Sequence, residues 1–407
     1  MIEISRDHSR TPSAVSPLSA RVLDLVASGQ AMTRTDIGTA LGAPASTVSL
    51  AVNRLVELGL IAEEGTQGAT GGRPRKVLRL GGTDEFAVAA DLGGSHARVG
   101  IVLPGGEATH VDTVSFSLDD GPEKGLSRLA DLFQALADVR GHGTLGAIGL
   151  SLPGPVDVAT GAADQPSRMP GWHRFPAASW MQDRFGLPVA VDNDANLMAI
   201  AEHFVHSPEH RHTIMVKAGS AIGTGIIVDG HLYRGATGAA GDITHVRIDA
   251  AGSRPCSCGN TGCLETIASG AALVQTLREQ GASVAGILDV VRLVEHGDPP
   301  ATMAVRRAGH HLGEVLAANV NFFNPNAVYL GGILSTLEPF VAAVRSELYE
   351  ACHPLVTQQL TIARATLGAD AGLIGAGVSA LQLSLARALE HTLPASASKP
   401  RNHVRIP

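Results

Sequence analysis

Residues 256–265 read Cys-Ser-Cys-Gly-Asn-Thr-Gly-Cys-Leu-Glu, and this stretch holds three of the four cysteines of the chain. The glycines within it permit the tight bends that would turn Cys256, Cys258 and Cys263 toward one point. Three thiolates form three corners of a tetrahedral zinc site, and His245, a short distance upstream, is the nearest candidate for the fourth ligand. The alternatives are a disulfide with one spare thiol, or three inert buried cysteines. We predict structural zinc, because the spacing is tight and the rest of the chain is typical of an intracellular protein.

A chain of 407 residues is too long for one compact core, so we expect two or three domains. Residues 1–80 carry nine Lys or Arg against seven Asp or Glu, whereas the remainder carries 22 against 31. A mildly basic front on an acidic body is typical of a small polyanion-binding module joined to a part that binds a smaller ligand. No stretch approaches a membrane-spanning apolar run, and residues 1–17 have no hydrophobic signal core. We therefore expect a cytoplasmic protein with no membrane partner.

Residues 17–80 predict an α+β winged helix-turn-helix domain. Apolar residues at helical spacing indicate three short helices, with a glycine-containing turn before the third, and strands at 60–62 and 76–80 form a hairpin. The hairpin loop is basic and suited to phosphates or a narrow minor groove, while the third helix offers short polar groups to base edges. The candidate DNA contacts are Ser46, Thr47, Ser49, Asn53, Arg54, Arg73, Arg75 and Lys76. The alternative is a small helical dimerisation module with a solvated basic loop.

Strands alternate with helices from about residue 83 to residue 390, which predicts α/β layers. The predicted strands cover 86–91, 98–103, 145–152, 213–217, 225–229 and 327–330. The predicted helices cover 122–139, 194–206, 269–280, 300–321, 336–351 and 371–390. Residues 1–16 and 391–407 are predicted to be disordered tails.

Two glycine-rich turns interrupt this pattern. Residues 91–95, Asp-Leu-Gly-Gly-Ser, join two apolar strands, and residues 219–225 likewise lead into a strand. Backbone amides in such turns can approach phosphate oxygens, and a carboxylate at a strand end can hold Mg²⁺ through water. One such turn alone is more often a simple tight turn, but the pair predicts a duplicated nucleotide clamp.

A third polar cluster, Asp192-Asn193-Asp194, ends a strand and starts a helix. A carboxylate at that position could accept the proton of a sugar hydroxyl as the hydroxyl attacks a γ-phosphate. The alternative is helix capping by Asn193 or Asp194, which these residue types do routinely.

Together these motifs resemble the ROK family (repressors, open reading frames and sugar kinases), and specifically its regulators with an N-terminal winged helix. The resemblance runs from about residue 17 to about residue 389. Its most specific element is Cys-x-Cys-Gly-x-x-Gly-Cys-x-Glu, which is matched without departure from Cys256 to Glu265. The supporting motifs lie at residues 91–95, 153–157, 193–194, 230–235, 324–325, 330–332 and 375–376.

The resemblance implies an actin-like (ribonuclease H-like), two-lobed sugar kinase fold over residues 83–390. In an active enzyme Asp194 would be the catalytic base, and His245 would both ligate zinc and contact the sugar. The residues implied to bind the sugar are Gly154, Asn193, Asp194, Asp242, His245 and Glu265. Those implied to lie around ATP and Mg²⁺ are Asp91, Gly93, Gly94, Ser95, Gly219, Ser220, Gly223, Gly331 and Gly332.

The chain departs from the family pattern at four positions. Asp242 stands where the family usually has Glu, and it reaches about 1.5 Å less far. Thr244 replaces a glycine and would crowd the pocket. Ala221 replaces a glycine of the second phosphate turn, and Ser95 replaces a threonine of the first. The machinery around a retained base is therefore eroded.

Two functions have support in the sequence, whereas nothing in it favours a third, a binding module recruited by another protein such as a transporter subunit. The favoured one is a transcriptional regulator, expected to be a repressor, that binds operator DNA as a homodimer or homotetramer and responds to a sugar or sugar phosphate. The alternative is an active ATP-dependent hexose or N-acetylhexosamine kinase with an appended DNA-binding domain.

Overall fold

The computed structural model describes residues 17–27, 31–57, 60–67, 75–80, 85–164, 169–206 and 209–392. Within these ranges the chain forms two compact units. The first comprises the described residues up to 80 together with 382–392, and the second comprises the described residues from 85 to 381. The predicted tail at 1–16, residues 393–407 and the wing tip with Arg73 lie outside the described residues.

The first unit contains three helices followed by a two-stranded antiparallel hairpin. Its elements are α1 (Pro17–Ala27), α2 (Arg34–Leu41), α3 (Ala45–Glu57), β1 (Ile61–Gln67) and β2 (Arg75–Leu80). This is the predicted order of a winged helix-turn-helix, although β1 extends further than the sequence indicated. The apolar faces of the helices meet over the hairpin in one core, which includes Val22, Ile37, Val48, Leu55, Ile61 and Leu78.

The turn between α2 and α3 has identifiable local causes. Thr33 caps α2 by accepting a hydrogen bond from the Asp36 amide at 3.2 Å. Gly42 ends the helix in the left-handed conformation with φ 58°, which glycine adopts without the steric cost of a Cβ. The chain then turns through Pro44, whose carbonyl accepts the amides of Thr47 and Val48 and starts α3.

The first half of the second unit is a mixed sheet in the order β5-β4-β3-β6-β9. β3 pairs antiparallel with β4 and parallel with β6, and β6 pairs parallel with β9. The strands are β3 (Glu85–Leu92), β4 (His96–Val102), β5 (Ala108–Ser115), β6 (Thr144–Leu152), β7 (Val156–Asp157), β8 (Ala162–Ala163) and β9 (Val189–Asn193). The helices are α4 (Pro122–Arg140), α5 (Ala177–Phe185) and α6 (Asp194–His206).

The second half repeats this arrangement in the order β12-β11-β10-β13-β14. The strands are β10 (Thr213–Ala218), β11 (Ile222–Val228), β12 (His231–Leu232), β13 (Ala327–Gly331) and β14 (Thr361–Arg364). The helices are α7 (Glu265–Ala268), α8 (Gly270–Glu279), α9 (Ile287–Glu295), α10 (Pro299–Phe323), α11 (Glu338–Ala351), α12 (Pro354–Thr357) and α13 (Ala371–Thr392). Counting strands within each half, both sheets follow the order 3-2-1-4-5. This duplication is the predicted actin-like, ribonuclease H-like fold.

Helix α13 packs closely on α6 and on the end of β3, because glycines lie at both contacts. A Cβ at Gly375 would collide with the backbone carbonyl of Leu197 in α6, and one at Gly372 would lie 2.5 Å from the Asp91 carboxyl carbon. By length and composition the segment Gly368–Arg387 could cross a membrane, contrary to the expectation that no stretch approaches a membrane-spanning apolar run. Since 56% of the most apolar part of this segment is buried inside the protein, core packing accounts for its apolar character.

The close approach at Gly375 predicts the effect of adding one methyl group. We expect Gly375→Ala to lower the free energy of unfolding by about 1–3 kcal/mol, because the α6 backbone must shift. Alanine's helix propensity, worth about 1 kcal/mol, acts in the opposite direction, so a net loss isolates the packing effect. Thermal unfolding measures it. Gly94→Ala is the matched control, since nothing lies within 4 Å of a Cβ there. A Gly375→Ala protein as stable as the unmutated chain would contradict the expectation.

Candidate effector site, metal centre and DNA-binding face

The carboxyl ends of three neighbouring strands place polar side chains in one row. Asp91 of β3 lies in register with Ser151 of β6, and Ser151 lies in register with Asp192 of β9. The Ser151 hydroxyl donates a short hydrogen bond to the Asp91 carboxylate. Parallel strands therefore bring together groups that lie far apart in the sequence.

The first turn of α6 follows this row directly. The Asn193 side-chain oxygen accepts the amides of Ala195 (3.0 Å) and Asn196 (3.3 Å), so Asn193 does cap the helix. Its amide group also donates to the Gly154 carbonyl at 3.0 Å, which holds the loop after β6 against the helix start. One Asp194 oxygen accepts the Ala195 amide at 2.7 Å, which leaves the other for a different partner.

That partner is Lys217 of β10, whose ammonium forms a short ion pair with the second Asp194 oxygen. Burial by itself would lower the pKa of Lys217, but the Asp194 and Asp91 carboxylates raise it above its ordinary range. Burial likewise raises the pKa of Asp91, against the lowering effects of Lys217 and Ser151. Lys217 was not among the residues predicted for the site, although a lone charge within the otherwise apolar strand β10 was an available signal.

A second ion pair joins the two halves nearby. Asp192 is 4% exposed, and it accepts a hydrogen bond from the Arg234 guanidinium at 2.5 Å. Arg234 also lines a cavity of about 440 Å³ between the segments 156–164 and 234–238, which is within the size range of small-ligand pockets. Neither Asp192 nor Arg234 was predicted to have a role, although both lie in or directly beside motifs typical of the family.

The turn 219–225, predicted to bind phosphate, contacts two segments that carry predicted sugar contacts. The Ile222 amide donates to the Glu265 carboxylate at 3.2 Å. The Thr224 hydroxyl donates a short hydrogen bond to the Gly241 carbonyl, directly before Asp242. Glu265 and the chain around Asp242 are therefore both attached to β11, beside the first turn of α6.

Thr244 makes a specific contact where the sequence predicted crowding. It is buried, and its hydroxyl donates to the Asp242 carboxylate at 2.8 Å. Asp242 itself is exposed. The replacement of glycine by threonine thus comes with a hydrogen bond that orients the shorter acid.

The glycines predicted to surround ATP have packing roles as well. The Gly93 amide donates to the His96 carbonyl at 2.8 Å, and the Gly219 amide donates to the Ala221 carbonyl at 3.0 Å, each within its own turn. A Cβ at Gly331 would lie 2.5 Å from the Met215 methyl group. A Cβ at Gly332 would lie 2.5 Å from the Ala218 carbonyl oxygen. The exposed members of the two turns are Gly94, Ser95, Ser220 and Ala221.

The cysteine motif folds into a cluster with the predicted histidine. The ligand atoms of His245, Cys256, Cys258 and Cys263 all lie within 4.8 Å of one another. The Cys258 and Cys263 sulfurs are 3.8 Å apart, and the Cys256 sulfur is 3.4 Å from His245 Nδ1. A tetrahedral zinc ion with ordinary bond lengths requires edges of about 3.8 Å between sulfurs and about 3.5 Å between sulfur and nitrogen. The donor set fits zinc, and these two distances match the edges of such a site.

Backbone pairing brings the cluster together. Ile248 and Leu264 donate to the carbonyls of Gly262 and Val246, both at 2.9 Å, so the chain after His245 runs antiparallel to the chain at Cys263. Glu265 follows at the start of α7, so the same pairing connects the cluster to a predicted sugar contact.

Without a cation, three thiolates this close together would repel one another. Burial, together with the adjacent Cys258 and Cys256 sulfurs, raises the pKa of Cys263 to about 12. The Asn260 amide lowers the pKa of Cys258 by hydrogen bonding. A bound divalent cation would favour the thiolate form at all three positions. The cluster could therefore hold a metal ion whose charge offsets the repulsion.

The DNA-binding candidates on α3 lie mainly at the surface. Ser46, Thr47 and Asn53 are exposed, whereas Ser49 and Arg54 are half-buried. Leu50 was not among the predicted contacts, but it is 74% exposed on the same helix and breaks the amphipathic pattern of that helix. An exposed apolar group among short polar ones suits contact with a thymine methyl group.

A charge network ties the wing to these helices. Glu63 of β1 accepts hydrogen bonds from Lys76 of β2 and from Arg34 of α2, each at 2.7 Å. Arg34 also donates to the Asn53 side chain at 2.7 Å. Lys76 in particular, against the opposing effect of burial, lowers the pKa of Glu63, so this contribution to stability is present at neutral pH and is lost as the pH falls below the ordinary Glu range. Lys76 is thus a structural partner of Glu63, and the Arg75 side chain lies outside the described residues.

Comparison with known proteins covers both units. Residues 15–69 match the MarR family, and residues 87–382 match the ROK family. The xylose repressor of Bacillus spizizenii is 29% identical over 350 residues, which cover 84% of this chain and 89% of the repressor. The N-acetylglucosamine repressor of Escherichia coli is 29% identical over 356 residues, covering 81% and 85%.

Solved structures give the same result. A ROK family transcriptional regulator described as a homologue of the Escherichia coli MLC protein superposes with a TM-score of 0.72 at 25% identity, covering 93% of this chain and 99% of that one. A ROK family glucokinase from Streptomyces griseus, solved with glucose and AMPPNP, gives a TM-score of 0.65 at 28% identity, but it covers only 73% of this chain. The ROK match spans well over half of the sequence and coincides with the duplicated fold and the cysteine motif. The chain therefore belongs to the ROK family.

Proposed function

We propose that this protein is a cytoplasmic transcriptional regulator that binds operator DNA through its winged helix and releases or engages it in response to a sugar. The observation that carries the proposal is the presence, in one chain, of a winged helix with an exposed polar face on α3 and a complete ROK domain. The repressor relatives match along both parts, whereas the glucokinase structure covers only the ROK domain.

The proposed effector site lies where α6, the turn 219–225 and the segment before the cysteine motif meet. The side chains of Asn193, Asp194, Asp242, His245 and Glu265, with the Gly154 loop, would bind the hydroxyls of a sugar or sugar phosphate. Carboxylates and an imidazole are suited to this task because each can accept a hydroxyl proton in a hydrogen bond. Ligand must favour one DNA-binding state over the other, or it would regulate nothing.

We propose structural zinc at His245, Cys256, Cys258 and Cys263. The ion would fix His245 and the start of α7, and so one wall of the sugar site, without acting on the sugar itself. We also propose a homodimer or homotetramer, because winged helices of this kind read two-fold operators.

The DNA proposal predicts the effect of altering α3. We expect Asn53→Ala to weaken specific DNA binding by about tenfold to a hundredfold, because an Asn side chain can make a bidentate contact to adenine. A DNA site selected from a random pool, followed by fluorescence anisotropy at fixed salt, measures this. Ser346→Ala on α11, an exposed hydroxyl in the ROK domain, is the control and should bind DNA unchanged.

The same assay tests the effector. Titration with xylose, glucose, N-acetylglucosamine and N-acetylglucosamine 6-phosphate should change DNA affinity for at least one of them, and Glu265→Gln should reduce that response while leaving sugar-free DNA binding intact. Failure to select any specific DNA site, with or without sugar, would overturn the regulator proposal.

The metal proposal predicts about one zinc per chain by elemental analysis. We expect Cys258→Ala to lose the ion and to weaken the sugar response more than DNA binding, because the cluster adjoins the sugar site and lies outside the winged helix. Cys352→Ala, which removes the fourth cysteine elsewhere in the ROK domain, should retain zinc. An unmutated chain purified without zinc would contradict this.

A further inference from the structure

Lys217 forms an ion pair with Asp194, the residue that would be the catalytic base of a sugar kinase. Its ammonium is paired with Asp194 in one half of the domain's duplicated structure and lies within electrostatic reach of Asp91 in the same half. Lys217 itself belongs to β10 in the other half. The Asp194 side chain is 10% exposed and the Lys217 side chain 24%, so water screens this contact weakly.

The charge of Lys217 is retained at physiological pH. Burial alone would favour a neutral amine, but the two carboxylates raise the pKa of Lys217. Opposite charges held close together in a poorly solvated site interact far more strongly than they do in water. The ammonium is therefore a lasting positive charge that is paired with Asp194 and attracted to the more distant Asp91.

For phosphoryl transfer, Asp194 and Asp91 could not both be occupied by an ammonium group. A base must accept the proton of the attacking sugar hydroxyl, and a carboxylate at the β3 end must face hydrated Mg²⁺ that accompanies ATP. An Asp194 carboxylate that already holds an ammonium proton is a weaker base, and Lys217 supplies the positive charge that Mg²⁺ would bring to Asp91. The residues present do not fit an ATP–Mg²⁺ complex at this site.

We infer that Lys217 takes the place of the catalytic metal ion and converts the kinase site into a non-phosphorylating sugar receptor. The ammonium pairs with Asp194, offsets part of the charge of Asp91 and joins the two halves of the fold without a nucleotide. Sugar then binds without ATP and leaves unchanged. This inference deepens the proposed function and rests on the sugar site proposed there.

The Mn²⁺ affinity of the zinc-loaded full-length protein, measured by electron paramagnetic resonance, tests whether Lys217 takes the place of a metal ion. We expect weak binding by the unmutated chain and at least tenfold tighter binding by Lys217→Met, which frees both carboxylates while preserving side-chain length. Lys217→Arg keeps the positive charge and should behave like the unmutated chain. Adding Asp91→Asn to Lys217→Met should abolish the gained binding.

The unmutated protein provides a test that does not depend on any variant folding. Calorimetry should detect sugar binding that ATP and Mg²⁺ do not change, and an ATP-coupled assay over the same sugars should show no turnover. Turnover that Asp194→Asn abolishes would overturn the inference, as would equal Mn²⁺ affinity in the unmutated chain and a folded Lys217→Met. These readouts involve no DNA, so failure of operator binding would be seen separately.

Discussion

The close packing of β11 against the first turns of α6 is the constraint on which the site depends. A Cβ at Gly225 would lie 2.6 Å from the Ala195 carbonyl and 2.7 Å from the Ala199 methyl group, and one at Gly223 would lie 3.1 Å from the Ala195 methyl group. Only glycines allow a strand to lie so near a helix backbone. Because β10 and β11 form one hairpin, this contact also brings Lys217 to Asp194.

Around that contact the two halves of the ROK domain supply different parts of the site. The first half contributes the row of polar groups at the ends of β3, β6 and β9, together with the start of α6. The second half contributes Lys217, Arg234 and the segments that lead to the cysteine–histidine cluster. The ion pairs Lys217–Asp194 and Arg234–Asp192 both connect the two halves. They link two sheets that share no strand pairing.

Much of the fold could be predicted from periodicity and turn residues. All six helices that were predicted for the ROK domain begin and end within a few residues of their predicted bounds, because their apolar faces repeat clearly. They are α4, α6, α8, α10, α11 and α13. Strand β5 was missed because most of its residues are exposed or half-buried at the sheet edge, and so give no apolar alternation. Asn193 illustrates a different limit: capping and ligand positioning use the same residue type, and the structure shows the cap without removing the other role.

The sequence by itself determined the cysteine–histidine cluster, the winged helix and the family, because each rests mainly on residues close together in the chain whose spacing carries the information. Only the tertiary structure decided which groups the Asp91 and Asp194 side chains face. Lys217 lies 23 positions from Asp194 and 126 from Asp91, and no local pattern connects the three. Their meeting follows from the folding of two sheets against α6, and the resulting ion pair has its effect because burial removes the water that would otherwise screen it.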